Sequence, residues 1–180
     1  MLDILCVGDC KIDIFLKIPD DNPHFGLDKE KNKLFLSYGE KIYIDKYILG
    51  IGGNATNTAV GIARLVLNVG LCAEIGKDEF SKKILEELKK ENVSINFLSR
   101  TDKETSISIG LNYKQDRTLF TEHVQREHDF NFANLQTQFI YLTSLGNIWE
   151  TTYQKVLEFK KTNDVKLAFI PGTIQLAKKG

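Results

Sequence analysis

The sequence predicts an α/β fold built on a mostly parallel sheet. Three observations point there. Short apolar runs recur along the chain: LDILCVG at 2–8, GLCAEIG at 70–76 and KLAFIPG at 166–172. The first two read as buried strands and the third as a final strand. Between them lie stretches with helical spacing. A further region alternates polar and apolar residues and is rich in tyrosine and lysine, which suits a small antiparallel sheet inserted into the α/β core.

The elements follow in order. LDILCVG is the first strand, and Asp13 follows shortly after it. IFLKI (14–18) is another strand, ended by the turn-rich PDDNP. The segment KNKLFLSYGEKIYIDKYILG predicts a hairpin turning at Ser37–Tyr38–Gly39–Glu40. A helix is expected from Asn57 to Leu67, with Ala59, Ile62, Ala63 and Val66 on one face and Asn68 and Gly70 as its stops. GLCAEIG is the next buried strand. Asp78 caps the helix EFSKKILEELKKENV, whose apolar stripe is Phe80, Ile84, Leu85 and Leu88. TSISIGLNY and RTLFTEHV pair as strands around Lys114-Gln115-Asp116. QFIYLTS is a strand, TTYQKVLEFKKTN a helix and KLAFIPG the last strand. The accessory strands fall near 14–18, 33–48 and 105–122.

Composition narrows the class. The 180 residues carry 24 basic and 24 acidic side chains, so no net charge draws the chain to nucleic acid or an anionic membrane. The N-terminus lacks a basic leader, and no apolar run is long enough to span a bilayer. A cytoplasmic protein is expected. Cys6, Cys10 and Cys72 make a poor disulfide framework and read as buried thiols. His24, His123 and His128 are dispersed among polar residues and read as surface histidines. No metal-binding cluster is expected.

The segment GIGGNATNTA, residues 50–59, holds three glycines and two asparagines just before a helix. Paired glycines let backbone N–H groups approach a ligand without side-chain clashes. Free N–H groups at a helix start bind polar groups. Asn57 both donates and accepts, which suits a hydroxylated molecule. An ordinary turn and cap is the competing reading. The spacing is neither GxGxxG nor GxxxxGK[ST], so neither a dinucleotide loop nor a P-loop is present.

CVGDCKIDIF, GGNATNTAVGIARL, AEIGKDEFSKKILEELKKENV and LAFIPG, in this order, resemble the N-terminal part of a PfkB-type carbohydrate kinase, the family that includes ribokinase. The resemblance implies a doubly wound α/β domain carrying a small β-sheet lid. It implies transfer of a phosphoryl group from ATP, with Mg²⁺, to a hydroxyl of a sugar, sugar acid or nucleoside. Gly52 and Gly53 match the paired glycines that approach the acceptor. Asn57 matches the amide that binds its hydroxyls, and Asp13 matches a polar residue with the same task. Asn54 stands at a more variable position. Arg117 is similar to an arginine that helps bind anionic acceptors in some sugar-acid kinases. The glycine usual after Ala63-Arg64-Leu65 is replaced by Val66.

The family's catalytic base and anion hole reside in a DTxGAGD motif, which this sequence lacks. No catalytic residue is assigned. The chain is therefore expected to be a fragment of a longer kinase, inactive alone, with a possible homodimer through the lid. The alternative is a noncatalytic carbohydrate-binding or dimerising protein.

Overall fold

The computed structural model describes residues 1–122 and 124–177; His123 lies outside the described residues. The strands are β1 (Leu2–Val7), β2 (Lys11–Ile18), β3 (Phe25–Asp28), β4 (Lys33–Leu36), β5 (Lys46–Gly52), β6 (Val69–Ile75), β7 (Ser94–Arg100), β8 (Ile107–Tyr113), β9 (Asp116–Thr121), β10 (Thr137–Thr143) and β11 (Lys166–Ile170). The helices are α1 (Asn54–Arg64), α2 (Glu79–Lys90), α3 (Glu150–Thr162) and α4 (Thr173–Ala177). Contacts divide the chain into two units. The larger comprises Met1–Ile12, Ile51–Ile107 and the described residues from Glu122 onward; the smaller comprises Asp13–Gly50 and Ser108–Thr121.

The larger unit is organised by a five-stranded sheet in the order β11-β10-β1-β6-β7, and each neighbouring pair is parallel. β1 sits at the centre, with Cys6 registered against both Tyr141 and Leu71. Side chains alternate across a strand. Leu5 and Val7 thus join Ile140, Leu142, Tyr153 and Val156 in one buried cluster. Cys6 points the other way and is also fully buried. All three cysteines are buried free thiols, as the sequence predicts. The mostly parallel sheet matches the expected fold class. Edge strand β7 carried no usable signal in the sequence, because SINFLSR contains no fully buried residue.

Helix α1 starts at Asn54, three positions before the expected start at Asn57. Gly53, at φ 98°, breaks away from β5, and its carbonyl already accepts from the Asn57 N–H at 2.9 Å. The buried positions are Ala55, Thr56 and Ala59. The helix ends at Arg64, not Leu67. Leu65 N–H bonds Ile62 O at 3.0 Å, and Val66 N–H bonds Ala63 O at 2.9 Å. Val66 is therefore not on the buried face; it sits past the end at φ 63° and is 93% exposed. Gly70 is not a helix stop. It lies in β6, where an added Cβ would come within 2.7 Å of the Leu2 side chain. For α2 the cap is as expected: Asp78 accepts from Ser81 N–H at 2.9 Å. Ile84 and Leu88 are buried, while Phe80 and Leu85 are partly so.

The smaller unit contains a four-stranded sheet, β5-β2-β8-β9, and a two-stranded one, β3-β4. β8 and β9 form the expected antiparallel hairpin. Tyr113 pairs with Asp116, so the loop is Lys114–Gln115, with Lys114 at φ 57°. The hairpin expected at Ser37–Glu40 is not there. β4 pairs instead with β3, Phe25 opposite Leu36 and Asp28 opposite Lys33. The chemistry of that turn explains the choice. Asp28 Oδ1 accepts from Lys31 N–H at 3.0 Å, and Asn32 supplies the left-handed residue at φ 49°. Tyr38, by contrast, is fully exposed. Among the described residues, no helix is long and apolar enough to cross a membrane.

Val66 yields a test. A β-branched residue in the left-handed region is strained by about 1–2 kcal/mol, and at 93% exposure its side chain contributes little burial. Val66→Gly is expected to stabilise the chain by about 1 kcal/mol, after allowing for the flexibility glycine adds to the unfolded state. Urea denaturation checks it; an unchanged or lower midpoint refutes the strain argument.

Candidate functional site

The order of strands reverses at β1: β6 and β7 lie to one side, β10 and β11 to the other. In open parallel sheets a crevice opens at the carboxyl ends of the strands where the order reverses. Here that position is held by Asp9, just after β1, and Ser144, just after β10. Asp9 N–H donates to Ser144 O at 2.9 Å, which ties the two strand ends together.

The start of α1 is fastened to the same place. An added Cβ on Gly53 would stand 2.3 Å from Asp9 O and 3.2 Å from the Cys10 Cα. Only glycine fits there, both in conformation and in space. Thr56 Oγ1 donates to Asp9 O at 3.3 Å. Asn54 Nδ2 donates to Ser144 Oγ at 3.0 Å. Because Gly53 has no side chain, α1 has no side-chain cap on its first-turn N–H groups. Those donors, near the positive end of the helix dipole, suit a polar ligand.

The Asp9 carboxyl is pushed up to about 6. Burial is the main cause, opposed by the Lys11 charge and by hydrogen bonds from the Ser144 hydroxyl and the Gly146 N–H. Beside it Lys11, Glu74, Arg126 and His128 line a void of about 10 Å³, far too small for a sugar. His128 is not a surface residue: it is 5% exposed. Its Nδ1 lies 3.3 Å from Glu74 Oε2 but makes no well-formed hydrogen bond. Burial, with Arg126 nearby, pushes its pKa down to about 4. Arg126 is itself buried and donates to Thr101 Oγ1 at 2.5 Å and to Glu104 O.

Of the residues singled out from sequence, four come together at the start of α1. Gly52 closes β5 and is buried; Gly53 precedes the helix; Asn54 and Asn57 are exposed and three positions apart, hence on one face. Asp13 and Arg117 belong to the smaller unit. Asp13 is half-buried within β2, so it is a strand residue and does not end the first strand. Arg117 is exposed in β9, opposite Asn112. Sequence reasoning missed Asp9 and Ser144. Asp9 follows a strand-ending glycine, which was a usable signal; Ser144 had none, since only the pairing of β1 with β10 brings it near. A concavity of about 890 Å³, lined by residues that include Asn68, Asn96, Phe97, Asn134 and Gln136, contains none of the six residues. Its size alone does not make it the reactive site.

Two outcomes follow. Gly53→Ala should destabilise the chain by about 3 kcal/mol or more, combining overpacking with an unfavourable φ. Gly61→Ala, in the same helix with nothing within 4 Å of the added Cβ, should instead stabilise it by about 1 kcal/mol. Thermal melts of both variants check the contrast. The pH dependence of stability has two opposed parts. Asp9, raised from 3.8 to about 6, holds its proton in the folded state, so its contribution falls as pH rises through that window. His128, lowered from 6.5 to about 4, stays neutral when folded, so its contribution is lost as pH falls from about 6.5 to 4. Urea titrations across pH 4–7 should show stability rising with pH in Asp9→Asn and falling with pH in His128→Gln. Parallel profiles for the two variants would refute the assignment.

Comparison with known proteins agrees with this architecture. The family model described as pfkB family carbohydrate kinase matches residues 1–178. A 2-dehydro-3-deoxygluconokinase of Bacillus subtilis is 32% identical over 77 residues, covering 43% of this chain and 24% of that protein. The crystal structure of ribokinase from Thermotoga maritima superposes with a TM-score of 0.69 at 20% identity, over 94% of this chain and 52% of that one. Fructokinase from Halothermothrix orenii gives 0.64 at 17% identity, over 93% and 56%. The chain thus spans about half the length of these kinase structures. With a family match running from the first strand through the last helix, and a parallel sheet and small antiparallel sheets like those of ribokinase-like proteins, the chain belongs to the pfkB family of carbohydrate kinases.

Proposed function

We propose that the complete protein transfers a phosphoryl group from ATP to a hydroxyl of a small sugar, sugar acid or nucleoside, and that this chain supplies the acceptor-binding part. One observation carries the reading: the uncapped start of α1, with Asn54 and Asn57 on one face, is clamped by Gly53 to the carboxyl end of the central strand. That arrangement offers backbone donors and two carboxamides to a hydroxylated ligand. Asp13 and Arg117 join the proposal through the residue-by-residue family resemblance, Asp13 for acceptor hydroxyls and Arg117 for an anionic acceptor.

Transfer also needs stabilisation of the moving phosphoryl group and a base for the acceptor proton. No residue of this chain is assigned to either task. The family implies Mg²⁺ with the ATP. Among the described residues no three histidine, cysteine or acidic side chains converge on a point, and no residue of this chain is assigned to hold the metal. No step is derived through the metal. What this chain does in the reaction is to bind and orient the acceptor, which lowers the entropic part of the barrier.

A lid role is proposed for the strands of the smaller unit, which would exclude water during transfer. Phe35, Leu36, Tyr47, Ile48 and Phe120 of this unit are more than half exposed, and they favour a homodimer formed through the same strands. A cytoplasmic location accords with the reading.

The test is a matched comparison of the 180-residue chain with a version extended by a C-terminal half containing DTxGAGD. Acceptor binding is measured calorimetrically and transfer from ATP enzymatically, with ribose, fructose, 2-dehydro-3-deoxygluconate and adenosine. The short chain should bind one acceptor class without turning it over, and the extended chain should phosphorylate that class. Asn57→Ala should weaken binding roughly tenfold, as expected for a lost hydrogen bond left partly uncompensated. Robust turnover by the short chain, or an Asn57→Ala variant with undiminished affinity, would sink the proposal.

A further inference from the structure

We propose that the concavity at the amino end of the five-stranded sheet is a second binding site, one that takes a neutral saccharide. It lies apart from the start of α1 and is independent of the acceptor-binding reading.

Leu2 opens β1, Asn68 directly precedes β6, Ser94 opens β7 and Gln136 directly precedes β10; all four line the concavity of about 890 Å³. These strands run parallel, so the four residues mark their shared amino end. Asp9 and the start of α1 stand at the other end, about 20 Å away along the six residues of β1. The volume falls within the roughly 300–1,000 Å³ of small-molecule sites.

The lining sets carboxamides on a fixed frame. Asn68, Asn96, Asn134 and Gln136 are exposed, and their amide groups make no hydrogen bond to another described residue. The backbone beneath them is tied down. Asn68 N–H donates to Asp3 Oδ2 at 2.8 Å, and Asn68 O accepts from Asp3 N–H at 2.8 Å. Gln136 O accepts from Leu2 N–H at 2.9 Å. The loop carrying Asn134 is anchored by Phe130, Phe132 and Leu135 in the core cluster, and Leu135 N–H bonds Phe132 O at 3.0 Å. Asn96 is placed by a different device. Between the pairs Gly70–Ser94 and Cys72–Phe97 the register advances two residues on β6 and three on β7. Such a bulge on an edge strand re-aims a side chain. Asn96 and its neighbour Phe97 both line the hollow, although adjacent residues of a regular strand face opposite ways.

This chemistry selects the ligand. A carboxamide both donates and accepts, as a hydroxyl does, so four of them match a molecule covered in hydroxyls. An apolar ligand would strand them, at a cost of about 1–3 kcal/mol for each amide buried without a partner. A charged ligand finds little to pair with. Among the lining side chains only Asp129 is ionisable, and its carboxylate is already bonded to Lys155 Nζ. The Met1 amino group belongs to a residue 80% exposed, where salt and water screen it. Phe97, half-buried against the core cluster, supplies an apolar wall for the C–H face of a sugar ring.

The test uses the 180-residue chain labelled with ¹⁵N and follows the side-chain NH₂ resonances of Asn68, Asn96, Asn134 and Gln136. The probes are glucose, maltose, glucose 6-phosphate and adenosine. Glucose or maltose should move these resonances saturably, and the other two should bind more weakly. Asn96→Ala and Asn134→Ala should each weaken saccharide binding about fivefold, the effect of one net hydrogen bond. Both positions are exposed, so the variants should fold, and the wild-type titration needs neither of them. No saturable movement with either saccharide would overturn the proposal. Tighter binding of glucose 6-phosphate or adenosine would also overturn it, by assigning the hollow to another class of ligand. Undiminished affinity in both variants would do the same. Movement confined to Asn54 and Asn57 would sink the second site while supporting the acceptor reading, whereas movement of the four amides with Asn54 and Asn57 unmoved would establish a site independent of α1.

Discussion

The larger unit is organised around a contact between two backbones. Gly53 lies so close to the carbonyl of Asp9 that no other residue could occupy its position. This contact aims α1 at the end of the central strand and leaves the first-turn N–H groups without a side-chain cap. It also brings Asn54 within reach of Ser144, ninety positions away in the chain. Remove the contact and the helix can still form, because its propensity and its alanine face remain. What is lost is its starting point, and with it the polar edge the sheet presents.

The same edge is electrostatically uncomfortable. A carboxyl at Asp9 and an imidazole at His128 are both held in environments that disfavour their charged forms. Isolated buried charges cost several kcal/mol, and proteins normally avoid them or pair them. Asp78 shows the ordinary solution. Burial raises its pKa, but bonds from Thr105 and Ser81 outweigh that and hold the carboxyl below its usual range. Asp9 lacks enough donors for this. Shifted groups cluster at functional sites, where burial and charge partners are arranged to tune them, although structural ion-pair networks shift pKa values as well. Their location at the strand reversal adds geometric weight to that inference.

The sequence by itself determined most of the element types. Apolar runs specified β1, β6, β10 and β11, most clearly β6, because a strand buried on both faces is apolar nearly throughout. Helical spacing specified α2 and α3, and Asp78 marked the beginning of α2 because a carboxylate can satisfy a free N–H there. The GGN segment announced its own importance through glycine conformation, a local property legible in any chain. Tertiary structure decided the rest. Whether Asp28–Asn32 or Ser37–Glu40 would turn the hairpin depended on which strand found a partner. Whether His128 was exposed depended on Glu74 and Arg126, which are distant neighbours in sequence or undistinguished near ones. Whether Val66 belonged to a buried face depended on where the helix stopped, and the two C-terminal hydrogen bonds set that. Ser144 became part of the site only because β10 pairs with β1 in parallel. Local signals are written in consecutive residues, but a site made from two strand ends and a helix start exists only once long-range pairing has brought them together.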